Sequence, residues 1–186
     1  MEEDLKKALQ TLKGGGVILY PTDTIWGLGC DATNSKAIEK IFQIKKRAES
    51  KSLISLVANI SQLEKYVEDI PEISYELMEA AMNPLTIIYS SPIGIAPNAL
   101  AEDGSIGIRV TKESFTNALC RHFGKPIIST SANESGEKTP LNFKEIDKKI
   151  IESADYVVNY RQDDNIKSSP SNIIKIQSGG IIKIIR

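Results

Sequence analysis

Short apolar runs alternate with segments carrying apolar residues at helical spacing, and this alternation restricts the possible folds of the chain more than any other feature. Leu5, Ala8, Leu9 and Leu12 mark one helix face, and Gly14, Gly15 and Gly16 stop it before an apolar run at 17–20. Asn34 or Ser35 can cap a second helix, with Ile38, Ile41 and Phe42 facing inward and Lys45, Lys46 and Arg47 at or just past its end. Residues 53–57 read as a strand, 61–67 and 72–82 as helices, and 84–89 and 106–110 as strands. A helix over 112–123, a strand over 126–130, a helix over 142–152 and a strand over 156–159 follow. Residues 173–176 and 181–185 flank Ser178, Gly179 and Gly180 as a β-hairpin. Strands alternating with helices predict an α/β fold with a mixed sheet, the hairpin and the 84–110 region adding antiparallel pairs. Residues 162–170 are polar and aperiodic, as in a surface loop.

The 186 residues suit one domain, 1–186, with a real core. A net charge of −1 predicts no strong general pull toward nucleic acid or an anionic membrane, leaving only local basic patches. No apolar run is long enough to span a bilayer, and the start Met1-Glu-Glu-Asp lacks the basic residues and apolar stretch of a signal peptide. Two cysteines, Cys30 and Cys120, stand in no metal or redox spacing and read as space-filling. These features together predict a reduced, cytoplasmic setting.

The densest chemistry lies from Tyr20 to Asp31, YPTDTIWGLGCD, directly after the first strand. Hydroxyls (Thr22, Thr24), carboxylates (Asp23, Asp31) and glycines share one loop, and strand ends are where α/β proteins hold ligands. Its GLGCDA matches the dinucleotide fingerprint G-x-G-x-x-A, but Gly27 stands too far past the strand for the tight turn that motif requires. Lys45, Arg47 and Lys51 lie beside a strand start; three cations there fit a polyphosphate, while the segment by itself fits a solvated helix end better. Ser129 to Asn133, STSAN, follows a strand and offers hydroxyls and amides for an anion, or simply a turn. Arg109 interrupts an apolar strand and needs a counter-anion, from a ligand or from a structural Asp or Glu. His122 is the only histidine, which excludes multi-histidine zinc sites, and no G-x-S-x-G elbow is present.

Taken in order, these segments resemble the threonylcarbamoyl-AMP synthase family of the YrdC/Sua5 type. The matching pieces are Tyr20 to Asp31, the K-x-R element Lys45 to Arg47 with Lys51, Pro84-Leu-Thr86 and Gly107-Ile-Arg109. Ser131-Ala-Asn133 with Ser135 and Gly136, Ser169-Pro-Ser171 and the closing Ile184-Ile-Arg186 complete the set. The chain looks like the short form of that family, without the extra C-terminal domain of longer members. The resemblance implies a twisted mixed sheet flanked by helices around a concave, positively charged cavity. It also implies a reaction: L-threonine, bicarbonate and ATP, with Mg²⁺, give threonylcarbamoyl-AMP, pyrophosphate and water. Downstream threonylcarbamoyl-transferase proteins then modify adenosine at position 37 of tRNA.

The family's residue roles carry over as follows. Lys45 and Arg47 would be catalytic and, with Lys51, bind the triphosphate and carbamate; Ser105, Ser131, Asn133, Thr139 and Arg186 would contact ATP. Thr24, Arg109, Ser129 and Ser171 would bind threonine, Arg109 through the carboxylate; no metal ligand from the protein is expected. The chain departs from the family pattern at Leu56, where some members carry histidine, and at Ser52, Asn83 and Asn172. Two other readings stand beside this one. The first is an RNA-binding or ribosome-maturation module using the same basic face. The second is carbamoyl handling of the hydrogenase-maturation kind, which resides in longer, cysteine-rich chains.

Overall fold

A computed structural model describes residues 1–46, 53–164, 170–177 and 180–186. Helix α1, Glu2–Lys13, opens with Glu2, Glu3 and Asp4 and closes with Lys13, charges that complement its dipole. Ala8 and Leu12 are buried beneath it, and Gly14 caps it through a hydrogen bond to the Gln10 carbonyl. Strand β1, Ile18–Tyr20, follows and is buried throughout.

The loop expected after β1 is shorter than its sequence suggests. Gly27–Gly29 forms strand β2, antiparallel to β1, with Ile18 opposite Gly29 and Tyr20 opposite Gly27. Glycine is a poor strand former, which masks β2 in the sequence. Here its missing side chain is the requirement. A Cβ at Gly29 would lie 2.6 Å from the Tyr20 ring and 2.7 Å from the Ile128 carbonyl oxygen. Gly29→Ala therefore forces ring or backbone to shift, at a cost of about 1–3 kcal/mol for overpacking. The expected result is a thermal midpoint about 3–10 °C lower by circular dichroism; an unchanged midpoint would show that Tyr20 moves aside freely.

Helix α2, Ser35–Lys45, is capped by the Asn34 side chain, which accepts from the Lys36 and Ala37 amides at 3.1 and 3.3 Å. Strand β3 is Ile54–Val57, and α3, Ile60–Leu63, is a single turn where a longer helix was expected. Helix α4, Ile73–Ala80, leads to β4, Leu85–Tyr89, and then to β5, Ile106–Val110. Helix α5, Ser114–Phe123, ends on Gly124 in the left-handed region (φ +75°) before β6, Ile127–Ser131. The helix expected over 142–152 is split into a 3-10 turn, Phe143–Glu145, and α6, Lys148–Ser153. Asp147 causes the restart: its carboxylate accepts from the Lys149 amide as a new N-cap. Strands β7, Tyr156–Val157, β8, Asn172–Ile176, and β9, Ile182–Ile184, complete the order, β8 and β9 pairing antiparallel as the predicted hairpin.

The described strands form one mixed sheet in the order β7-β1-β2-β6-β3-β5-β4-β8-β9. The pairs β1–β7, β3–β5 and β4–β8 are parallel and the others antiparallel. On one face, Ile38, Ile41 and Phe42 of α2 join Val57, Ile106, Ile108 and Ile128. On the other, α1 and α5 cover Ile18, Tyr20, Leu56 and Ile127. Leu56, at the position where some relatives were expected to carry histidine, is a fully buried member of this second cluster. Burial pushes the Cys30 and Cys120 thiols up, so both stay protonated within the packing. Among the described residues no helix is long and apolar enough to cross a membrane.

Candidate active site

Side chains two apart on a strand share a face. Thr86 and Ile88 of β4, Gly107 and Arg109 of β5, and Ser129 and Ser131 of β6 obey that rule and line a single cavity of about 360 Å³. The Thr24 end of the signature loop, Thr139, Ser171 and Arg186 close it. The structure thus brings together Thr24, Arg109, Ser129, Ser131, Thr139, Ser171 and Arg186 from segments far apart in sequence. Thr86, the last residue of the Pro84-Leu-Thr86 element, has its hydroxyl 2.9 Å from that of Ser171 and fixes it against β4. Strand periodicity alone would have assigned Thr86 to the cavity.

Other predicted residues stand elsewhere. Ser105 is buried in the turn before β5, its hydroxyl and amide both donating to Asp103 at 2.5 and 3.0 Å. The Asn133 side chain donates to the Glu134 and Glu137 carbonyls and so shapes its own loop. Lys45 is buried at the end of α2, where its ammonium donates to the Ser131 and Asn133 carbonyls at 2.5 and 2.6 Å. The Lys45 carbonyl accepts from the Ser135 amide at 2.9 Å, and Lys46, in a left-handed C-cap (φ +48°), pairs with Glu134 at 2.8 Å. The K-x-R and S-x-N elements are therefore joined through Lys45. Arg47 and Lys51 lie outside the described residues.

Arg109 is only 4% exposed, so its charge must be compensated inside the protein. Asp23 supplies this from 3.0 Å, and the guanidinium also donates to the Thr24 hydroxyl at 3.3 Å. Its Nε is buried without a hydrogen-bond partner among the described residues. Arg186 donates to the Ser171 carbonyl at 3.2 Å. Burial and the nearby Arg109 charge both lower the Arg186 pKa, so the two guanidinium groups repel. An anion between them would relieve that repulsion. The described lining holds no carboxylate side chain.

A larger hollow of about 1250 Å³ lies beyond Asp23, with Met78, Met82, Lys112 and Glu113 on its walls. None of the described residues expected to bind substrate lines it, so the smaller cavity is the site the sequence singles out.

Comparison with known proteins identifies the lineage. The Sua5/YciO/YrdC family model, described as telomere recombination, matches residues 10–186. The chain belongs to this family. A threonylcarbamoyl-AMP synthase of Pseudoalteromonas translucida is 34% identical over 185 residues, covering 98% of either chain. Another, from Saccharophagus degradans, is 39% identical over 133 residues, covering 71% of this chain and 70% of that one. The crystal structure of P. abyssi Sua5 complexed with L-threonine superimposes with a TM-score of 0.85 at 22% identity. It covers all of this chain, which spans 54% of that longer protein, and shows the shared fold. The nine-stranded mixed sheet is thus a Sua5/YrdC sheet, as the motif order implied.

Proposed function

We propose that this Sua5/YrdC-family chain is an L-threonylcarbamoyladenylate synthase, condensing L-threonine, bicarbonate and ATP for the threonylcarbamoyl modification of tRNA. One observation carries the reading. Arg109, Arg186 and the hydroxyls of Thr24, Ser129, Ser131 and Ser171 line one cavity, a set of donors suited to carboxylate, carbamate and phosphate oxygens.

The chemistry asks little more of the protein than alignment and charge neutralisation. Threonine amine attacks the bicarbonate carbon, forming the carbamate and releasing water. A carbamate oxygen then attacks the α-phosphorus of ATP, the bond to the β-phosphate oxygen breaks, and pyrophosphate leaves. Neither step needs a protein nucleophile; both need oriented substrates and stabilised oxyanions. In this reading Arg109 binds the threonine carboxylate, with Thr24, Ser129 and Ser171 around the amino acid. Ser131, Thr139 and Arg186 lie on the nucleotide side. Lys45 holds Ser131 and Asn133 in place there, while Arg47 and Lys51 are assigned to the triphosphate from the sequence alone. With no carboxylate side chain in the described lining, Mg²⁺ fits best as an ion carried in by ATP, bound by phosphates and water.

Pyrophosphate release from the purified chain tests the reaction. It is expected to require L-threonine and bicarbonate together with ATP and Mg²⁺. Equal release without threonine would overturn the assignment.

A further inference from the structure

Asp23 has no role in the reaction described so far, yet it makes the ion pair that holds Arg109. The loop around it is rigidly tied. The Thr22 hydroxyl accepts from the Thr24 amide at 3.0 Å and donates to the Ile25 carbonyl at 2.7 Å. Thr116 of α5 donates to the Pro21 carbonyl at 2.8 Å, and Arg161 to the Thr22 carbonyl at 3.3 Å. The carboxylate between these ties has little freedom, and one of its oxygens lies 3.0 Å from the Arg109 guanidinium. The two residues face different spaces: Arg109 lines the 360 Å³ cavity and Asp23 the 1250 Å³ hollow. The pair is a wall between them, with the anion behind the guanidinium.

The pair is balanced in charge but incomplete in hydrogen bonding. Asp23 Oδ1 and Arg109 Nε are both buried without a hydrogen-bond partner among the described residues. Both atoms are enclosed by the protein, so the ion pair with Asp23 is what fixes the guanidinium in place. We infer that Asp23 is a positioning residue for amino-acid binding. It compensates Arg109 from behind and keeps the guanidinium from turning into the larger hollow, so that the side of Arg109 lining the 360 Å³ cavity is left for the carboxylate of the substrate.

Removing Asp23 has two effects on threonine. It deletes a repulsion toward the incoming carboxylate and an attraction for the ammonium, which nearly cancel for a zwitterion. It also frees the guanidinium to reorient, and this effect has no counterweight, so binding weakens.

The inference rests on the cavity being the amino-acid site, and steady-state kinetics separate the two claims. Asp23→Asn is expected to raise the threonine KM about ten-fold or more, leaving kcat and the ATP KM within about two-fold. Asp23→Glu keeps the charge and should fall between the two. A threonine KM within two-fold of the parent in Asp23→Asn would overturn the inference. So would an ATP KM rising in step with it, which marks general damage. Should Asp23→Asn melt below the assay temperature, Asp23→Glu supplies the same reading through a raised threonine KM with an unaltered ATP KM. Arg109→Ala is the reference arm. If it raises the threonine KM and Asp23→Asn does not, only the role of Asp23 fails; if it has no effect, the amino-acid reading of the cavity fails.

Discussion

Arg109→Ala is expected to raise the threonine KM by about 100-fold or more, the result of deleting the charged partner of a buried carboxylate. The reason lies in the position of the guanidinium. It rises from near the end of β5, faces Asp23 on one side and lines the cavity on the other, and among the described lining residues Arg186 carries the other positive charge. Arg109→Lys retains a cation for Asp23 but loses the planar fork, so a smaller rise of about ten-fold is expected. The alanine variant also leaves Asp23 without its counter-charge. Because Asp23 lines the larger hollow and can rehydrate there, the stability loss should be about 2 kcal/mol rather than the ~3–5 kcal/mol of a sealed pair. Threonine-dependent pyrophosphate release at varied threonine, with ATP saturating, measures the effect. A KM unchanged in both variants would remove Arg109 from the amino-acid site.

Lys45→Met should cost both stability and activity. Methionine keeps an unbranched apolar stem but leaves the Ser131 and Asn133 carbonyls without the buried ammonium that now joins them. Two hydrogen bonds from a charged donor are worth about 3 kcal/mol together, so the thermal midpoint should fall by about 6–12 °C. Ser131 lines the cavity, and misplacing it by about 1 Å should lower kcat/KM for ATP on the order of 100-fold. Lost activity with an unchanged midpoint would mean that the ammonium acts on the substrate and does not serve as the tie between α2 and β6.

Much of this was legible in the sequence because strands and helices leave periodic traces. Ile106–Val110 was readable as a strand, and its period placed Gly107 and Arg109 on one face. The convergence of Thr24, Arg109, Ser131 and Ser171 followed from the order of the motifs rather than from any local pattern. What the sequence did not make legible has a physical cause in each case. Gly27–Gly29 forms a strand because Tyr20 lies across it, a tertiary requirement that glycine propensity contradicts. Residue chemistry left the counter-anion of Arg109 open between a ligand and a structural acid; Asp23 occupies that role, while Arg109 also lines the cavity. The resemblance gives Ser105 as a nucleotide contact; its hydroxyl donates to Asp103 two residues earlier, a local turn that a motif match does not register. The resemblance gives Lys45 as a triphosphate and carbamate binder. Its burial against the Ser131 and Asn133 carbonyls, 86 and 88 residues away, is a long-range fact that no spacing in the sequence encodes.

The most direct test of the account is mass detection of the adenylate from purified chain incubated with ATP, Mg²⁺, bicarbonate and L-threonine. A species of the mass of threonylcarbamoyl-AMP is expected, shifting by one mass unit with ¹³C-bicarbonate and absent when threonine is omitted. No such species alongside salt-sensitive RNA binding that ATP does not displace, or pyrophosphate formed equally without threonine, would contradict it.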